Sequence, residues 1–155
     1  VSVAARLAEL ELTLPEVVPP VAAYVPAVRQ GDLVYTAGQL PMVNGELPAT
    51  GKVGTGVGLV DPEQAQALAR QAALNGLAAA ASLVGDVEKI TRVVKVVGFV
   101  ASDVTFTGQP QVINGASQVL QEIFGDAGVH ARSAVGVAVL PMDAPVEVEL
   151  ILEVA

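Results

Sequence analysis

Residues 131–155 restrict the fold of this chain more than any other stretch. They read ARSAVGVAVLP, a short gap, then VEVELILEV. In the first run Val135, Val137 and Val139 share one side of a strand; in the second, Val146, Val148, Leu150, Leu152 and Val154 do. Both are period-two patterns rich in β-branched residues, the mark of a half-buried strand. Pro141 and the Asp143-Ala144-Pro145 stretch punctuate the gap, since neither proline can donate a ladder hydrogen bond. The expectation is an antiparallel pair whose valine faces meet a covering layer. The other sides differ. Arg132 alternates with Ala134, Gly136 and Ala138, small residues that admit a close neighbour, whereas Glu147, Glu149, Ile151 and Glu153 line the second strand.

The covering layer is legible upstream. Asp61 can cap a helix, Pro62 suits its first position, and Gln64 can complete a capping box. That helix is alanine-rich, runs to about Leu83 and ends at Gly85-Asp86. A second helix is expected over about 109–124, with Val112, Ile113, Ala116, Val119, Leu120, Ile123 and Phe124 on one stripe and Gly125 as its stop. Asn114 and Gln118 lie off that stripe. Between the helices, Val93–Val100 is nearly continuous in apolar character and reads as an interior strand covered on both faces. Leu33–Ala37 is another strand, preceded by a turn at Gly31-Asp32 and by an edge segment over 23–29 that Pro26 interrupts. Asn44-Gly45 reads as the turn of a small hairpin. The glycines at 51, 54, 56 and 58 lack the spacing of a phosphate-binding or dinucleotide loop and read as turns and close packing, or as a loop that lids a site. Residues 3–9 can make one or two helical turns anchored by Leu7 and Leu10, and Pro15, Pro19 and Pro20 enforce an extended connector. The order predicts an α/β fold, a mixed sheet covered by two helices on one face. The division is an N-terminal arm over 1–20 and one domain over 21–155.

The other sheet face then has no cover within the chain, and composition bears on its fate. Of 155 residues, 52% are hydrophobic and 15% charged, with mean hydropathy +0.57. So few charges point to apolar surface buried by self-association. The net charge of −8 and scattered Lys and Arg argue against a nucleic-acid partner. Cysteine is absent, which excludes thiol nucleophiles, disulfides and sulfur-rich metal sites, and a single histidine makes a histidine-based metal site improbable. No leader-like segment opens the chain and no apolar run reaches membrane-span length, so no membrane partner and a cytoplasmic location are the default expectation.

Four residues stand out for chemistry. Arg132 can offer a bidentate fork to a carboxylate, or form a structural ion pair with a strand glutamate. Glu147 can orient a water or exchange a proton, or be a solvated strand residue. Tyr24 and Asn114 can each hydrogen-bond a small ligand or fill an interface. In a tight hairpin Glu147 would pair near Val139, leaving Arg132 about seven residues, or roughly 23 Å, up the ladder. A site using both would then have to form between subunits. His130 with Ser133 lacks the strand-turn-helix elbow of a serine hydrolase.

These residues carry a resemblance. Ala131-Arg132-Ser133-x-Val135-x-Val137-x-x-Leu140-Pro141 followed by Val146-Glu147-Val148-Glu149 resembles the closing signature of the reactive intermediate deaminase (YjgF/YER057c/UK114) family. Val34–Pro41 resembles its early strand-and-turn motif, and the likeness covers about 22–155. The resemblance implies a chorismate-mutase-like (bacillus-type) α/β fold, a homotrimer, and ligand sites in clefts between subunits. It implies hydrolysis of enamines and imines of amino acids to 2-keto acids and ammonia without a cofactor. In it the arginine matching Arg132 binds the substrate carboxylate, the glutamate matching Glu147 positions water, and Tyr24 and Asn114 fall at pocket positions. Ala37, where the family commonly has serine, and Ala134, where it often has cysteine or threonine, mark a divergent member, as do the longer arm and glycine-rich loop. The alternatives are a small-carboxylate binding protein without turnover and, more weakly given the acidity, an endoribonuclease.

Overall fold

The computed structural model describes residues 2–17, 19–20 and 22–155; Val1, Val18 and Val21 lie outside the described residues, the last being the expected first residue of the main domain. The elements are α1 (Val3–Glu9), β1 (Ala27–Gln30), β2 (Leu33–Thr36), α2 (Pro62–Val84), β3 (Ile90–Ala101), α3 (Gln109–Phe124), β4 (Ala131–Val137) and β5 (Val146–Val154). Five strands form one mixed sheet in the order β1-β2-β5-β3-β4, and α2 and α3 cover one face of it. This is the expected architecture. The main helices begin and end close to their sequence signals. Asp61 accepts from Glu63 N at 3.3 Å, Gly85 closes α2 in the left-handed region at φ 88°, and Gly125 follows α3 at φ 61°. Gln64 returns no side-chain bond to Asp61, so the cap is one-sided.

The closing strands depart from expectation. Val146, Val148, Leu150, Leu152 and Val154 are all buried, so β5 turns its apolar side to the helices as predicted. It is not hairpinned to β4, however. β5 pairs antiparallel with both β2 and β3, and β4 pairs parallel with β3 at the sheet edge. The chain from β4 passes over the end of β3 and returns on its far side. The physical reason is the crossover. The connection β3-α3-β4 delivers β4 parallel to β3. β5, with a complete apolar side, lies in the interior under both helices, where it has two partners.

A second correction follows from register. Arg132, Ala134 and Gly136 sit opposite Val96, Gly98 and Val100, which face the helices. The valine side of β4 therefore points to the open face, where Val135 is 43% exposed. The small-residue side of β4 lies toward the helices, and its smallness lets α3 approach. β3 also differs from the reading of a strand covered on both faces. Register shifts at Ile90/Arg92 and Val93/Lys95 reset its alternation, so Ile90, Val93 and Val96 all reach the core at a spacing of three. Val94, Val97 and Phe99 remain partly exposed on the other side.

Several contacts hold the helices and connecting segments in place. Gly115 is where α2 and α3 cross, and a Cβ there would overlap the Gln66 carbonyl. Asn75 of α2 donates to the carbonyls of Leu40 and Met42 at 2.9 and 3.1 Å, pinning the segment after β2. The glycine-rich loop is stitched to the end of β3 through fully buried Val53, whose N–H donates to Ala101 O at 2.7 Å. Asn44 and Gly45 both have positive φ and form the expected small turn between Val43 and Glu46. β1 begins only at Ala27, after Pro26, so the expected edge segment over 23–29 starts late and Tyr24 precedes the strand. α1 lays Leu7 into the core, and its first amides, Val3 N and Ala4 N, donate to the Glu88 carboxylate.

Thr36 has a role that strand periodicity does not reveal. The regular β2–β5 pairing ends at Tyr35–Ile151, and Leu150 N donates to the Thr36 hydroxyl at 2.9 Å in the buried interior. Thr36→Val keeps the shape but orphans that amide, which costs about 1–3 kcal/mol. Urea unfolding should show a loss of that size; a midpoint unchanged within a few tenths of a kcal/mol would mean that water or a strand shift replaces the hydroxyl.

Candidate functional site

Arg132 lies one residue into edge strand β4 and reaches over α3. Its Nη1 donates to Asn114 Oδ1 at 2.8 Å and to Ser117 Oγ at 3.2 Å, and its Nη2 donates to Pro110 O at 3.3 Å. All three acceptors belong to α3 and all are uncharged. Among the described residues the ion pairs are Arg6–Glu9 and Arg70–Glu122, so Arg132 has no carboxylate partner. The reading of Arg132 as half of an ion pair with a strand glutamate is therefore not what the fold builds. Both Nη1 hydrogens are committed to α3, while Nε–H and one Nη2 hydrogen remain.

Sequence reasoning paired Arg132 with Asn114 only through the resemblance; the structure brings them together directly. It also adds Ser117 and His130. Ser117 is 7% exposed and its Oγ lies 2.9 Å from His130 Nε2, while His130 Nδ1 lies 2.6 Å from Gly128 O. A signal for these two was present. Asn114 and Ser117 are three apart on one helix and so share a face, and His130 is two residues before Arg132, on the same side of an extended chain.

Glu147 stands elsewhere. It is opposite Phe99 in the β3–β5 ladder and on the open face, since its neighbours Val146 and Val148 face the helices. The carboxylate lies against Gly38, where any Cβ would overlap Oε1. Gly38 is thus required for this approach, and the Gln39–Val148 bridge holds the segment alongside β5, with Gln39 N donating to Val148 O at 2.7 Å. Partial burial pushes the Glu147 carboxyl above the usual glutamate value, and the nearby charge of Glu149 adds to this. Tyr24 is 55% exposed in the bend before β1, and no side-chain hydrogen bond joins it to the other three residues.

Arg132 and Glu147 therefore occupy opposite faces of one sheet. They are two strands and three register positions apart, roughly 14 Å between Cα atoms. The hairpin distance expected from sequence does not apply, but a single chain still cannot bring the two side chains together. Depressions of about 340 and 260 Å³ are lined by residues 54–61 and by the outer α2–α3 groove; neither includes Arg132 or Glu147. Among the described residues no three His, Asp or Glu side chains are placed to hold a metal ion, and no helix is long and apolar enough to cross a membrane.

The raised Glu147 carboxyl has a measurable consequence. The folded chain holds that proton more tightly than the unfolded chain does. Protonation thus adds stability that is fully present below the usual glutamate value and is lost as pH rises through the raised one. Glu147→Gln is neutral at every pH. It should raise the thermal midpoint at neutral pH, with the gain shrinking to nothing on acidification; parallel midpoint-against-pH curves for the two proteins would contradict the assigned burial.

Known proteins place this fold. Residues 4–154 match the family described as "YjgF/chorismate_mutase-like, putative endoribonuclease". Protein TCP17 of Trypanosoma cruzi is 40% identical over 152 residues, covering 97% of this chain and 93% of its own length. The crystal structure of Atu1372 from Agrobacterium tumefaciens, a protein of unknown function, is 45% identical and superposes with a TM-score of 0.88, covering 99% of this chain and 92% of that one. Escherichia coli TdcF, solved with bound serine, is 26% identical with a TM-score of 0.64 over 90% of this chain and 94% of its own. With its helix-covered mixed sheet and a match over nearly its whole length, this chain belongs to the YjgF/chorismate-mutase-like family.

Proposed function

We propose that this protein hydrolyses small 2-imino or enamine acids to 2-keto acids and ammonia, in sites assembled between copies of the chain in a homotrimer. One observation carries the reading: Arg132 is oriented by three neutral acceptors and has no carboxylate of its own, so two hydrogens of a fixed cation remain to grip an anionic ligand. The serine bound in TdcF, itself a small carboxylate, agrees with such a ligand.

The chemistry needs little else. Water oxygen bonds to C2 of the imino acid as the C=N electron pair moves to nitrogen. Glu147 takes the water proton and returns it to nitrogen. The carbinolamine then collapses: Glu147 carries the C2 hydroxyl proton to the nitrogen, the C–N pair leaves with ammonia, and the O–H pair left on oxygen forms the carbonyl. A carboxyl raised above its usual value suits a group that both accepts and donates a proton. Asn114 holds Arg132, and Tyr24 closes the ligand from a neighbouring copy. No cofactor enters.

In this reading Arg132 comes from one copy and Glu147 from another, since within a chain the two lie on opposite faces of the sheet. The open face offers Val28, Tyr35, Phe99, Val135 and Ile151 for that contact. Ala37 and Ala134 are read as the marks of a divergent branch with its own substrate range. The rival is a carboxylate-binding protein without turnover. RNA cleavage is disfavoured by the net charge of −8.

Ammonia release from freshly generated 2-iminopropanoate and 2-iminobutanoate is the direct test. Wild type should accelerate it. Arg132→Ala should lose about ten-fold or more in kcat/KM, and Glu147→Gln should lose kcat while still binding ligand. No acceleration on either acid, with binding intact, would leave the rival standing. Sharing of the site has a separate test. Arg132→Ala and Glu147→Gln chains, each strongly impaired alone, should regain about a quarter of wild-type activity when co-assembled at random, since that fraction of sites draws both intact residues from different copies. Mixed trimers as inactive as either parent would rule out a site shared in this way.

A further inference from the structure

We propose that Ser117 and His130 are positioning residues that set the orientation of the Arg132 guanidinium for its carboxylate ligand. The proposal rests on the reading of Arg132 given above.

Hydrogen-bond directions in this cluster follow from what each group can do. Gly128 O can only accept, so the His130 nitrogen 2.6 Å away, Nδ1, carries the hydrogen. In the neutral ring Nε2 is then a lone pair, and the partner 2.9 Å away must donate to it. That partner is the Ser117 hydroxyl, whose single hydrogen is thereby spent. Its oxygen is left as a pure acceptor, facing Arg132 Nη1 at 3.2 Å. Each step determines the next: a backbone carbonyl selects the tautomer, the tautomer turns the hydroxyl, and the hydroxyl presents a lone pair to the cation.

The two Nη1 hydrogens are thus held by different side chains, Asn114 Oδ1 at 2.8 Å and Ser117 Oγ. Pro110 O accepts one Nη2 hydrogen at 3.3 Å, and Asn114 and Ser117 together saturate Nη1; the three contacts fix the plane of the group and keep Nε–H and the remaining Nη2 hydrogen on the side away from α3, and loss of Ser117 frees one Nη1 hydrogen to draw the group out of that plane. Among the described residues Ser117 is one of two buried polar residues, with Thr36, so its hydroxyl has little solvent to turn to. Without His130 the serine hydrogen would seek another acceptor and the lone pair would no longer be aimed. Neither residue is expected to touch the ligand; each acts through Arg132.

Binding of 2-oxobutanoate, a stable product-like carboxylate, measured by calorimetry alongside imine turnover, tests this. Ser117→Ala and His130→Phe should each weaken binding and raise KM by about ten-fold, with kcat within about two-fold of wild type. His130→Gln, whose side-chain carbonyl can take the Ser117 hydrogen, should recover affinity to within about three-fold of wild type. Thermal midpoints and light scattering confirm that each variant is folded and assembled as wild type is. If Arg132→Ala loses binding while Ser117→Ala and His130→Phe keep it, the positioning role is wrong and the carboxylate grip stands. If Arg132→Ala binds as wild type, the grip is wrong and the positioning role falls with it. Equal loss in His130→Gln and His130→Phe would also overturn it, since that would mean only the ring's bulk matters.

Discussion

The parity of one strand organises this protein. Val146, Val148, Leu150, Leu152 and Val154 are each at most 2% exposed, and together they bury a continuous apolar side of β5 beneath α2 and α3. Side chains of this size contribute about 1.5–3 kcal/mol each on full burial, so a slip by one residue would forfeit the whole set. The same parity commits Glu147, Glu149, Ile151 and Glu153 to the open face without further instruction. Hydrophobic burial on one side thus delivers a row of carboxylates to the other, and the close approach at Gly38 turns one of them into a partly desolvated acid.

Arg132 is placed by a different device. The crossover through α3 sets β4 at the edge, parallel to β3, and the register turns Arg132 inward onto α3. An arginine directed at a helix would ordinarily need a carboxylate or exposure. Here an amide oxygen, a hydroxyl and a backbone carbonyl stand in for the carboxylate, and the charge itself stays unpaired. In a chain with 15% charged residues, an organised and uncompensated cation is a feature that folding alone does not require. The two candidate groups therefore reach opposite faces by independent routes, and the proposed function follows from asking how a symmetric assembly would reunite them.

Much of this was legible beforehand. The capping signals at Asp61 and Pro62, the stripe from Val112 to Phe124 and the stops at Gly85 and Gly125 are local, and the helices obey them to within about a residue. Arg132 was conspicuous as the one charge on a strand otherwise built of small or apolar residues, whereas Glu147 shares its strand with Glu149 and Glu153 and was set apart from them by the closing motif. What failed was pairing. The β4 and β5 segments both alternate and are joined by a short gap, which reads as a hairpin, yet β3 lies between them. The valines of β4 looked like a core face and lie on the open one. The near-continuous apolar run of β3 looked doubly covered, whereas two register shifts turn Ile90, Val93 and Val96 to the covered side and Val94, Val97 and Phe99 stay partly exposed on the other. Each failure concerns which strand lies beside which, and no short-range pattern encodes that.

The sequence by itself determined the elements, their order, the apolar side of β5 and the residue types available for chemistry, because periodicity, capping and turn preferences act over a few residues. The tertiary structure alone decided strand order, the inward turn of Arg132, the Gly128–His130–Ser117 chain behind it and the contact of Glu147 with Gly38. Those depend on which segments, tens of residues apart, compete to bury the same apolar surface. That competition is won by the arrangement that covers the apolar side of β5 completely, and the polar groups take the directions it leaves them.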